Sequence, residues 1–101
     1  MAFGWFKKAF EMNKTSATIN NYGVCFMTGF GVEKNWSKAM EVFKIGADMG
    51  DARSLYHAAY IDNFDDQEDA LRLYKKAADL GNNDARSMYE FLISNDNLQN
   101  K

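Results

Sequence analysis

The sequence predicts an all-α protein of about six amphipathic helices laid out as a repeat. Three observations carry this. One segment recurs at an offset of 31 residues, its apolar positions follow the helical period, and the chain has no proline to interrupt a helix. At 101 residues, 47% of them hydrophobic and 26% charged, the chain is long enough for one domain with its own core.

The repeat is read by setting WSKAMEVFKIGADMGDARSLY (36–56) against QEDALRLYKKAADLGNNDARSMY (67–89). Ala39 meets Ala70, Phe43 meets Tyr74, Ala47 meets Ala78 and Gly50 meets Gly81. Beyond the glycines, DARSLY meets DARSMY after two extra residues within Asn82-Asn83-Asp84. A fainter third copy, WFKKAFEMN (5–13), aligns with VFKIGADMG (42–50).

Each element follows from this alignment. Ala39, Val42, Phe43 and Gly46 stand at i, i+3, i+4 and i+7, as do Ala70, Leu73, Tyr74 and Ala77, so each set lines one helix face. Asn35 and Asp66 occupy N-cap positions before these stripes, and Gly50 and Gly81 occupy the position after a helix end. Small residues such as Ala39, Gly46, Ala70 and Ala77 permit close helix packing. The expected helices are 3–12, 16–28, 36–49, 51–61, 67–80 and 84–94. Residues 95–101 are expected to form a flexible tail.

These residues resemble the Sel-one-like repeat, a relative of the tetratricopeptide repeat. Tyr22-Gly23 takes the place of a Leu-Gly pair, Phe26 of an aromatic, and Gly29, Gly31 and Val32 of a Gly-x-Gly-Val loop. Lys38-Ala39 and Phe43 mark a second helix. The next unit gives Tyr56, Tyr60, Asp69-Ala70, Tyr74, Lys76-Ala77-Ala78 and Gly81. The resemblance covers most of residues 5–93. The second unit departs from the pattern: IDNFDDQED (61–69) replaces the glycine loop, and His57 stands where the family has a small residue. The resemblance implies a short right-handed αα-hairpin solenoid over residues 1–94. It would hold a half repeat at 3–14, repeats at 15–50 and 51–81, and a half repeat at 82–94. It also implies a scaffold, adaptor or other protein-binding role.

Composition narrows the function classes. The net charge of −2 gives no general reason to expect nucleic-acid binding. It divides into +3 over residues 1–38 and −5 over 39–101, which suits a partner with a basic surface. A lone cysteine, Cys25, fits a reducing compartment. No leader-like or membrane-spanning apolar run is present, so a cytoplasmic location and no membrane partner are expected. There is no zinc spacing, phosphate loop or serine elbow, and no cofactor or metal is expected.

Three candidate surfaces emerge. With Tyr22, Phe26, Tyr56 and Tyr60 pointing into the core, a groove would be lined by Asn20, Val24 and Met27, then Ser54, Ala58 and Ile61, then Ser87, Phe91 and Ser94. The segment DNFDDQED sets Phe64 among Asp62, Asp65, Asp66, Glu68 and Asp69, an anchor for a basic partner. The same acids also suit a helix start, with Asp66 as cap and Glu68 and Asp69 in the first turn. An EF-hand is excluded because the loop lacks its glycine and final glutamate. The N-terminal aromatics Phe3, Trp5, Phe6 and Phe10 would close the solenoid end of a monomer; the alternative is that Trp5 or Phe3 stays exposed and serves a weak homodimer.

The expected function is therefore a non-catalytic protein-binding module. Its sharpest form is a small cytosolic inhibitor, such as an immunity protein that masks a toxin domain. The alternatives are a general adaptor or regulatory subunit, and a small hydrolase using Cys25 and His57. For those two residues, a core thiol and a metal-free histidine are the simpler readings.

Overall fold

Helix starts in this chain are built by side-chain caps. A computed structural model describes the backbone of residues 2–99 and the side chains of residues 2–94. It contains α1 (Ala2–Met12), α2 (Ser16–Thr28), α3 (Trp36–Asp48), α4 (Ala52–Asp62), α5 (Gln67–Asp79) and α6 (Asn83–Gln99), with no strand among the described residues. Thr15 Oγ1 accepts from the Thr18 amide, and the Thr15 amide donates to Thr18 Oγ1, a reciprocal capping box. Asn35, Asp51, Asp66 and Asn82 accept from the amides of Lys38, Ser54, Asp69 and Ala85 at 3.0, 2.9, 3.2 and 2.8 Å.

The ends of α3 and α5 explain why the repeat is so tight. Gly50 and Gly81 take left-handed φ values of 81° and 101°, which glycine adopts without a Cβ penalty. The Asp51 amide then reaches back to the Gly46 carbonyl at 2.9 Å, and the Asn82 amide to the Ala77 carbonyl at 3.0 Å. These are Schellman closures. Asp51 and Asn82 therefore each end one helix with the backbone and start the next with the side chain.

Chain neighbours pack against one another, and α2 also touches α4, so the helix pairs stack side by side as a short repeat solenoid. Two apolar clusters run through it. Phe10, Ile19, Tyr22, Phe26, Val42 and Phe43 from α1–α3 join Ala58 and Ile61 of α4. Leu55 and Ala59 of α4 join Ala70, Tyr74, Ala77, Ala85 and Leu92 of α5 and α6. Phe43 is fully buried, which is worth about 1.5–3 kcal/mol by area removed from water. Close approach is built in: a Cβ on Gly23 would lie 2.5 Å from the Phe43 ring, and one on Gly46 would overlap Ser54.

Three expectations need correction. First, α6 does not stop at residue 94. It continues to Gln99, because residues 83–99 contain neither glycine nor proline to end the hydrogen-bond ladder; the last two residues of the expected tail lie outside the described region. Second, Tyr60 does not enter the core: it is 39% exposed and packs on Trp36 and Phe64. Third, the N-terminal aromatics do not all close the solenoid end. Phe3 packs on Tyr22 and Phe26, and Phe10 on Tyr22, whereas Trp5 is 69% exposed.

Candidate protein-binding groove

An inner helix of a solenoid has little free surface. Helix α4 packs against α3, α5 and α2, so two of its rows are consumed by the two apolar clusters. Its remaining open row is Arg53, half-buried Tyr56 and His57, and Tyr60. On α2, which packs against α1, α3 and α4, the row left over is Asn21, Val24 and Thr28.

These rows face a common groove with two adjoining hollows. One, of about 330 Å³, is lined by Phe6, Asn20, Asn21, Val24, Cys25, Thr28, Phe30, Arg53 and His57. The other, of about 520 Å³, is lined by Met27, Thr28, Lys34, Trp36, Tyr56, His57 and Tyr60. Thr28 and His57 line both, which joins them. The Trp36 ring is fixed by its indole N–H donating to the Met27 carbonyl at 2.9 Å, and Lys34 Nζ lies 5.3 Å from that ring. Neither Arg53 nor Lys34 has an ion-pair partner among the described residues. The groove thus combines flat aromatic surface with two cations, the residue types that favour protein recognition.

A buried polar network supports its floor. Asn20 Nδ2 donates to the Ser16 carbonyl at 2.7 Å, to Asp51 Oδ2 at 3.1 Å and to Ser54 Oγ at 3.4 Å. Ser54 Oγ donates to Asp51 Oδ2 at 2.6 Å, and Asn20 Oδ1 stands 2.7 Å from His57 Nδ1. His57 also stacks on Phe43, with ring centroids 4.7 Å apart and planes 17° from parallel. Burial holds the His57 pKa below its ordinary value; the Arg53 charge adds to this, while a backbone hydrogen bond and Asp51 oppose it. Burial pushes Asp51 upward, but hydrogen bonds from Ser54, Ser16 and Asn20 outweigh it and leave the carboxyl below its ordinary value. Cys25 is buried, and burial raises its thiol pKa, which makes it a poor nucleophile at neutral pH.

The residues expected to line the groove divide. Val24 and Met27 line it. Asn20 and Ser54 do not face a partner: they are 2% and 0% exposed and belong to the polar network, although Asn20 borders one hollow from beneath. Ala58 and Ile61 lie in the first apolar cluster, because α4 is covered on two sides rather than one. Ser87, Phe91 and Ser94 are exposed on α6, away from both hollows. Phe64 and Asp65 are exposed in the loop after α4, and Asp66 caps α5. The groove residues that sequence reasoning missed are Phe6, Asn21, Cys25, Thr28, Phe30, Lys34, Trp36, Arg53, Tyr56, His57 and Tyr60. The 21/24/28 and 53/57/60 spacings were the available signal, one residue around each helix from the rows expected.

The family model described as Sel1 repeat matches residues 1–14, 16–51 and 52–82. No curated protein matches the chain. Sel1 repeats are non-catalytic units that mediate protein–protein interaction. Three matched segments spanning α1 to α5, over the helix-pair stack described above, place this chain in the Sel1 repeat family.

Proposed function

We propose that this chain is a non-catalytic protein-binding module that seats a partner segment in the α2–α4 groove. The observation that carries the reading is the pair of open rows, Asn21–Val24–Thr28 and Arg53–His57–Tyr60, meeting over two hollows joined at His57. Such a surface suits an extended or helical segment with apolar anchors and at least one carboxylate for Arg53 or Lys34.

The sharpest form of this reading is a small inhibitor of the immunity-protein kind, which masks a toxin domain. Its support is the charge of −5 over residues 39–101, which suits a basic protein outside the groove itself. A general adaptor shares the groove but not the requirement for a single tight partner.

The test is affinity capture from the native host with the tagged chain and with the Val24→Glu and Arg53→Glu variants, each checked for helical content. One stoichiometric partner, lost from both variants, is the expected result. Retention by both variants would remove the groove from the account, and a changing set of weak partners would remove the inhibitor form.

A further inference from the structure

Trp36 also lines a third hollow, of about 460 Å³. It is lined by Trp36, Ser37, Met40, Ile61, Asp62, Phe64 and Asp65. We infer that this hollow is a receptor for one basic side chain of a protein partner, best fitted to an arginine guanidinium.

The aromatic wall is held in place and left uncovered. Phe64 meets Trp36 edge-to-face at 4.9 Å and 62°, and meets Tyr60 at 5.6 Å and 70°, yet it remains 65% exposed. The loop beneath is closed by the Phe64 amide on the Ile61 carbonyl and by the Asp65 and Asp66 amides on the Asp62 carbonyl. Trp36 is anchored by its bond to Met27. The hollow is therefore preformed, and filling it requires little ordering.

Charge selects the occupant. The acids of this loop divide by task. Asp66 caps α5 and Asp69 pairs with Arg72, so both have partners. Asp62 and Asp65 border the hollow, and neither forms an ion pair among the described residues. The Asp62 carboxyl is held above its ordinary value by burial first, then by Asp66 and Asp65, against the pull of Lys44 and Arg72. An incoming cation would relieve that repulsion. One ammonium, that of Lys34, which lines the groove, already lies 5.3 Å from the Trp36 ring. A guanidinium can lie flat on an aromatic face while its edge reaches two carboxylates, which an ammonium cannot do.

The protein-binding reading supplies the occupant's source, but the hollow is tested without any partner. Acetyl-Gly-Arg-Gly-amide is titrated into the ¹⁵N-labelled chain, and the Trp36 indole N–H resonance is followed. The citrulline counterpart, equal in shape and uncharged, is run in parallel. The Phe64→Ala and Asp65→Asn variants alter exposed side chains and are checked by circular dichroism. The expected result is a saturable shift with the arginine peptide and none with citrulline, weakened about fivefold or more in each variant, the scale of one partly desolvated cation contact. No saturable shift, an equal response to citrulline, or unchanged affinity in either variant overturns the inference. Loss of partner capture by the groove variants is a separate result and bears only on the groove.

Discussion

Asn20 Oδ1 stands 2.7 Å from His57 Nδ1, and this bond fixes the histidine tautomer. Asn20 Nδ2 faces the Ser16 carbonyl, the Asp51 carboxylate and Ser54 Oγ, so the amide oxygen must be the atom turned toward His57. Nδ1 then carries the hydrogen in the neutral ring, and Nε2 is the nitrogen that titrates. Two helices that are distant in sequence are tied by one side chain each, directly beneath the groove.

A pH dependence follows. The folded His57 pKa is depressed, so the unfolded chain takes up the proton first as pH falls. Stability is full above the ordinary histidine value and declines below it, with a slope of at most about 1.4 kcal/mol per pH unit, until the folded ring also protonates. The chain has a single histidine, so no other side chain of ordinary pKa titrates near pH 6. Urea unfolding at pH 7.5 and pH 5.5 should show lower stability at the acid value, and His57→Gln should flatten the difference. A chain equally stable at both values would contradict the buried, neutral histidine. Asp51, whose folded pKa is also depressed, contributes stability above its ordinary value that is lost only at much lower pH.

Gly46 makes a second prediction. A methyl group there would overlap Ser54 Oγ and stand 2.5 Å from Ser54 Cβ. Alanine gains about 1 kcal/mol over glycine in helix propensity. The clash also pushes Ser54 off Asp51 and Asn20, and overpacking costs about 1–3 kcal/mol before those bonds are counted. Gly46→Ala should therefore lower the urea midpoint. A raised midpoint would mean that α3 and α4 are not packed this closely.

Tyr74 makes a third. Its ring is fully buried in the second apolar cluster, and its hydroxyl has no hydrogen-bond partner among the described residues. Burial, with Tyr56 and Tyr60 adding to it, pushes the phenol pKa far above its ordinary value. Tyr74→Phe removes an unsatisfied polar group and should stabilise the fold by about 1 kcal/mol. Thermal unfolding reads this directly. A destabilisation of similar size would place a bound water on the hydroxyl.

Arg53 separates binding from folding. It is exposed, lines the groove and has no ion-pair partner among the described residues. Arg53→Glu should change stability by less than about 0.5 kcal/mol, as surface substitutions do. Partner affinity should fall about tenfold or more, because a reversed charge would meet the carboxylate proposed for the partner. Equal loss of stability and binding would assign Arg53 to the fold instead.

Much of the fold was legible because the repeat carries its own punctuation. Asn35, Asp66, Gly50 and Gly81 mark helix ends through short-range hydrogen bonding, which sequence reports well. The groove was less legible because it depends on which faces neighbouring helices cover. Ser54, Ala58 and Ile61 read as an outward row only if α4 has one buried face; packing on α2, α3 and α5 buries that row. A rotation of one residue, about 100° of helix, exchanges them for Arg53, His57 and Tyr60. Asn20 was misplaced for a related reason. A polar residue reads as surface until its partners Asp51, Ser54 and His57, over 30 residues away, are brought to it. Phe64 was legible as an exposed aromatic among acids, but its neighbour Trp36 was not, since 28 residues separate them.

Whether the α2–α4 groove holds the partner is decided by the affinity of the captured partner for three variants: Val24→Glu, Arg53→Glu and Phe91→Glu. Phe91 is 57% exposed on α6 and lines neither groove hollow, so it serves as the internal control. Binding in the groove gives about tenfold or greater weakening for the first two and near-native affinity for the third. Native affinity for Val24→Glu and Arg53→Glu, with loss in Phe91→Glu, would contradict it and move the binding surface to α6.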